Sequence, residues 1–190
     1  MVETLSQLSS LIRLSFDDRR PQQLPLAREL EFLDIYLAIQ QLSFGDRLVV
    51  RRQIAPGVMG ALVPSMVLQP LVENAIVHGV AKQPGAGAVH IEAAPLEDRL
   101  MLRIEDSGPG FTASGEPMAR IGLKATQARL KLLYGTEYCI EFGPSRTGGA
   151  SVTLLIPYVS CATESADRCQ PSKEYPVAIT AAQAERGAIL

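Results

Sequence analysis

LQPLVENAIVHGV, residues 68–80, is an apolar segment interrupted by Glu73, Asn74 and His78. Its length predicts a helix of about twelve residues over Ser65–His78. Pro70, Asn74 and His78 recur at i, i+4 and i+8 on one side, while Leu71, Val72, Ala75 and Ile76 can face a sheet. One side is therefore core and the other polar. Pro70 removes a backbone donor inside this pattern and predicts a bend in the first turns.

Working outward toward the N-terminus, Leu48–Ile54 is β-branched and alternating, a strand closed by Pro56-Gly57. Before it, Leu26, Leu30, Leu33 and Leu37 repeat at helical spacing, and Ile35, Ile39 and Leu42 widen the apolar surface. Such a helix can pack on its own domain or form part of a dimerising helical hairpin. Leu5, Leu8, Ile12 and Phe16 predict a further helix over Thr4–Phe16, ended by DDRRPQQ.

Toward the C-terminus, AKQPGAGA is a loop, and Val89–Ala94 with Leu100–Asp106 reads as a hairpin. Leu100, Leu102 and Ile104 face one way, and Met101, Arg103 and Glu105 the other. A helix over Gly122–Tyr134, capped by Gly135, and strands at Tyr138–Phe142 and Ser151–Ile156 follow. Helices and strands in this order predict an α/β fold, a two-layer α/β sandwich with helices on one face of a mostly antiparallel sheet and an N-terminal helical segment. We expect a helical segment over 1–44, the sandwich domain over 45–158 and a poorly ordered tail over 159–190.

The composition of the 190 residues, 47% hydrophobic and 20% charged, is that of a globular chain. A net charge of −2, with only Arg19-Arg20 and Arg51-Arg52 as paired basic residues, gives nucleic acid no basic face to bind. Cys139, Cys161 and Cys169 lack metal or disulfide spacing, which fits a reducing compartment. Neither a signal peptide nor a run of about 18 apolar residues occurs in the sequence.

Three motifs carry chemistry. Asn74 offers a neutral oxygen suited to Mg²⁺, an ion that takes few protein ligands when phosphates supply the rest. Asp106, in DSGPGF at the end of a strand, can accept from an exocyclic amine, with Gly108 and Gly110 allowing close backbone approach to a flat ring. Gly122 opens a helix whose free N–H groups attract phosphate, with Lys124 adding charge. Taken singly, each has a plainer reading as a surface or capping residue, a turn and an ordinary helix start. Together, in this order, they can surround a nucleotide.

These residues resemble the GHKL, or Bergerat-fold, ATP-binding superfamily, and within it sensor histidine kinases of the LytS type. LARELEFLDIYLAIQQLSFGDRL is similar to that family's linker helix, LQPLVENAIVHGV to its N box and DSGPGF to its G1 box. IGLKATQARLKLLYG resembles the end of the G2 region, and GGASVTLLIP the last glycine motif. The resemblance implies that Asn74 coordinates Mg²⁺, that Glu73 and His78 lie beside the phosphates, and that Asp106 binds the adenine amine. It also implies that Gly108 and Gly110 shape the adenine pocket and that Gly122 sits in the lid. The implied function is transfer of the ATP γ-phosphate to a histidine, then to a response regulator. The implied setting is cytoplasmic, as a homodimer joined through the N-terminal helices, with membrane attachment only through an upstream sensor.

The departures are informative. Where hydrolytic relatives keep a glutamate base, this chain has Pro70, which disfavours self-contained ATP hydrolysis. Two lid glycines are replaced in Met118-Ala-Arg120, which leaves Arg120 to contact phosphate. The acceptor segment His-Phe-Leu-Phe-Asn is absent, and the two histidines are His78 and His90, the latter reading as an exposed strand residue. The alternative is a degenerate, non-catalytic dimerisation or partner-binding module that keeps the fold.

Overall fold

The computed structural model describes residues 21–110 and 121–160. The elements are β1 (Gln23–Pro25), α1 (Leu26–Phe44), β2 (Leu48–Ile54), β3 (Leu62–Pro64), α2 (Leu68–Asn74), β4 (Gly87–Leu96), β5 (Arg99–Asp106), α3 (Ile121–Tyr134), β6 (Cys139–Pro144) and β7 (Ala150–Pro157). The predicted helix over Thr4–Phe16 and the lid residues Met118–Arg120 lie outside the described residues.

Five strands form one sheet in the order β2-β4-β5-β7-β6. The β4–β5, β5–β7 and β6–β7 pairs are antiparallel and β2–β4 is parallel, so the sheet is mostly antiparallel, as predicted. The parallel pair follows from the connection: the chain between β2 and β4 passes through β3 and α2 and returns in the same direction. The long strands were legible from their alternation. Ile91, Leu102, Ile104 and Leu154 are almost fully buried, and they share a core with Leu30 and Leu33 of α1, Leu71 and Ile76 of the α2 segment, and Leu130 of α3. Side chains alternate along each strand, so this one face receives all three helices. Each such aliphatic side chain contributes about 1.5–3 kcal/mol by leaving water.

A second, two-stranded sheet joins β1 and β3 antiparallel, with Leu24 opposite Val63. Leu62 N–H donates to the Val159 carbonyl at 2.7 Å, and Ala61 bridges Ser160, so residues 159 and 160 are paired with the chain at β3. Residues 161–190 lie outside the described residues.

Two expectations about the decisive segment need correction. α2 begins at Leu68 rather than Ser65, because Met66 holds φ 61 in the left-handed region, which no right-handed helix accommodates. Pro70 is then the third residue of the helix, where an N–H has no intrahelical acceptor, so it costs no bond and requires no bend. Past Asn74 the helix widens into a π turn over Ala75–Gly79 and tightens into a 3₁₀ turn over Val80–Lys82. Gly135 caps α3 as expected, with φ 59 and its N–H donating to the Lys131 carbonyl at 2.9 Å. No described helix is long and apolar enough to cross a membrane.

Candidate functional site

Asp106 is the last residue of β5, and it is buried at 7% exposure. Its Oδ1 accepts the Gly108 N–H at 2.7 Å and the Ala150 N–H at 3.3 Å, while its carbonyl accepts from Thr147 Oγ1 at 3.1 Å. Two backbone donors on one oxygen fix the orientation of the carboxylate.

Three glycines let the backbone close around this carboxylate. A Cβ on Gly79 would stand 2.5 Å from Asp106 Cγ, one on Gly108 would stand 2.8 Å from Asp106 Oδ1, and one on Gly149 would stand 2.6 Å from Gly108 N. The end of the α2 segment, the turn after β5 and the start of β7 thus meet at Asp106. Gly110 adds a positive φ of 75 beside the Gly148 and Gly149 carbonyls. Sequence reasoning singled out Gly108 and Gly110 but not Gly79 or Gly149 individually. Both lie in motifs already noted, and the signal for them was their meeting in space.

Ser107 secures the same turn. Its Oγ accepts the Ala88 N–H at 2.8 Å, its own N–H donates to the Ala88 carbonyl at 3.1 Å, and its carbonyl accepts from Gln83 Nε2. These bonds anchor the turn to the first residues of β4.

On α2, Glu73, Asn74 and the following Val77 and His78 are half-buried, whereas Leu71, Val72, Ala75 and Ile76 are buried. Asn74 and His78 thus stand apart from the buried side as the sequence predicts, but Pro70, read on the same side as them, is buried. Asn74 Nδ2 is shielded from solvent and has no hydrogen-bond partner among the described residues. Leaving a buried amide unsatisfied costs about 1–3 kcal/mol, so a water or ligand that meets it there is favoured. The amide ends exchange by a flip, so either end of Asn74 can be presented. Asn74 therefore fits Mg²⁺ that draws its other ligands from phosphate and water; among the described residues no cluster of three acidic, cysteine or histidine side chains could hold a metal unaided.

Gly122 lies in the first turn of α3, and Lys124 is exposed there, making no hydrogen bond or ion pair among the described residues. The structure gathers Asp106, Gly108 and Gly110 with the end of the α2 segment.

His90, read as an exposed strand residue, is half-buried, and its Nε2 is shielded without a partner among the described residues. It faces Glu105 across β4–β5, on the sheet side away from the helices. Charged side chains cover that side: Arg103 pairs with Glu92 at 3.7 Å, and Arg146 reaches Glu92 at 3.7 Å and Glu105 at 3.8 Å.

Two family models match the chain. One, described as histidine kinase, matches residues 1–48, and one, described as histidine kinase-, DNA gyrase B-, and HSP90-like ATPase, matches residues 62–160. Sensor histidine kinase YpdA of Escherichia coli (strain K12) is 36% identical over 173 residues, covering 81% of this chain and 30% of YpdA. Sensor protein LytS of Staphylococcus epidermidis (strain ATCC 35984) is 27% identical over 174 residues, covering 84% of this chain and 29% of LytS. The chain thus spans less than a third of the length of either. Among solved structures, Acinetobacter baumannii histidine kinase AdeS superposes with a TM-score of 0.56 at 19% identity, over 83% of this chain and 80% of AdeS, a likeness of fold.

Proposed function

Because the chain belongs to the histidine kinase-, DNA gyrase B-, and HSP90-like ATPase family, we propose that it is the ATP-binding catalytic region of a two-component sensor histidine kinase. The observation that carries the reading is the buried Asp106 carboxylate, oriented by two N–H groups and ringed by Gly79, Gly108 and Gly149. An acceptor held this way selects a flat base with an exocyclic amine, and the glycines leave room for the ring.

In this reading Asp106 accepts from the adenine amine, and Gly108 and Gly110 line the ring. Asn74 supplies the protein oxygen for Mg²⁺, whose charge stabilises the transferring phosphoryl group. Glu73 and His78 stand on the phosphate side of the α2 segment, and Gly122 and Lys124 offer N–H groups and charge from the start of α3. The chain's part in catalysis is positioning: it holds the γ-phosphate for a histidine on another segment. Transfer breaks the bond from the γ-phosphorus to the bridging oxygen, forms a phosphorus–nitrogen bond and releases ADP. A response-regulator aspartate then receives the group. The buried Pro70 offers no base for water, which favours transfer over hydrolysis.

Residues 1–44 serve as the linker segment, 45–158 as the nucleotide-binding domain and 159–190 as a tail in this proposal. Two copies associate through α1, whose outward face exposes Ile35 and Leu42 at 62% and 89%. A cytoplasmic location, with membrane attachment only through an upstream sensor and no nucleic-acid partner, completes the proposal.

The test is a calorimetric titration with Mg·ATP on wild type and on Asp106→Asn. The amide oxygen can keep the two backbone bonds, while its NH₂ opposes an incoming amine. The wild type is expected to bind, and the variant to lose about 1.5–3 kcal/mol of affinity while remaining folded. Absence of a signal at millimolar Mg·ATP, or equal binding by the variant, refutes the reading. Phosphate release abolished by Asn74→Ala would instead assign hydrolysis.

A further inference from the structure

The peptide unit between Ser65 and Met66, which turns the chain from β3 toward α2, is gripped from two helices. Its N–H, on Met66, donates to Glu29 Oε2 at 2.9 Å, and the Leu68 N–H, at the first residue of α2, donates to Glu29 Oε1 at 2.9 Å. Its carbonyl, on Ser65, accepts from Arg129 Nη1. Glu29 belongs to α1 and Arg129 to α3. The Ser65 N–H is held as well, donating to the Gln22 carbonyl at 3.0 Å.

Glu29 is 1% exposed, and a carboxylate removed from water this completely is costly unless its oxygens are met by donors. Here both oxygens meet backbone donors, one of them at the start of a helix, where the dipole also favours negative charge. Met66 keeps its φ of 61 between these two grips, a conformation a non-glycine residue holds only when its surroundings enforce it. From this point α2 runs to Asn74, and its continuation reaches Gly79 against Asp106.

We propose that Glu29 and Arg129 are positioning residues for the nucleotide site. Glu29 ties the entry of α2 to α1, and Arg129 ties the same peptide to α3, so the seating of both helices sets where Asn74 stands relative to Asp106. A displacement of α1 moves the Met66 and Leu68 N–H groups directly, without passing through the apolar core. The inference rests on the nucleotide-binding reading of that site.

The test compares the wild-type chain with Glu29→Gln, Arg129→Gln and Leu37→Ala. The last variant removes buried packing two turns further along α1, where Leu37 is 7% exposed. Gln at 29 keeps the volume but turns an NH₂ against one of the two N–H groups. Mg·ATP titration is expected to show affinity weakened about tenfold in both polar variants and by less than about twofold in Leu37→Ala, even where its Tm falls as far. In nucleotide-free protein, the Asn74 side-chain amide NMR signals are expected to move in the two polar variants and to stay in Leu37→Ala. Equal affinity across the set, or equal weakening by Leu37→Ala, overturns the proposal and leaves Glu29 a structural cap. If the wild type binds no nucleotide, the nucleotide reading fails, and unmoved Asn74 signals in both polar variants then refute the positioning role separately.

Discussion

Asp106 has little tolerance for side chains around it. A Cβ on Gly149 would stand 2.6 Å from Gly108 N, closer than real Cβ atoms approach backbone, and both neighbours belong to strand-end turns that cannot yield separately. Gly149→Ala is therefore expected to push the Gly108 and Ala150 N–H groups off Asp106, cost about 1–3 kcal/mol in chemical denaturation and abolish Mg·ATP binding in the same titration. Gly148→Ala separates backbone strain from the clash, since nothing lies within 4 Å of a Cβ there while its φ of 95 strains any side chain, and it is expected to lower stability but keep Mg·ATP binding. At this scale the sequence was partly legible. Asn74, Asp106, Gly108 and Gly110 stand out because polar or glycine residues interrupt apolar or strand patterns. Glu29 does not stand out, since a glutamate in an amphipathic helix reads as surface charge and its partners are 37 and 39 residues away. Arg129 is hidden for the same reason, 64 residues from Ser65.

Between residues and the whole lie the elements, and there the long strands and α3 matched their periodicity to within one or two residues. The three-residue strands β1 and β3 escaped notice because so short a run carries no period. The change from α to π winding after Asn74 was equally invisible, as apolar spacing does not distinguish the two over five residues. α3 ends on Tyr134, whose hydroxyl accepts from Gln23 Nε2 at 2.9 Å and so ties this helix to β1. Burial raises the Tyr134 pKa above its ordinary 10.0, with the Gln23 bond acting weakly in the other direction. The unfolded phenol loses its proton first. The group's stabilisation is then complete below pH 10.0 and disappears as pH climbs through the higher folded value. Urea midpoints followed from neutral pH to about pH 11 are expected to fall less steeply above pH 10.0 in Tyr134→Phe than in wild type.

Across the whole molecule, α1 packs into the core that the sheet residues form, where Leu26 and Leu33 are almost fully buried. The sequence left open whether this helix packs inward or dimerises, and its two faces answer differently. Leu30, Leu33 and Leu37 point inward; Ile35 and Leu42 remain exposed. Ile35→Glu combined with Leu42→Glu is expected to shift the chain to monomer in sedimentation velocity while changing the Tm of the monomer little, since neither side chain is in the core. An unchanged sedimentation coefficient would rule out α1 as the contact between copies.

Strand β3 lies between the two ends of the described chain. β1 pairs along one of its edges, and Val159 and Ser160 meet it at Ala61 and Leu62. β3 is also the strand that leads into the Ser65–Met66 peptide. Whatever loosens these few bonds would accordingly slacken the grip on α2, so that a strand of three residues becomes a lever on the entry to the proposed nucleotide site.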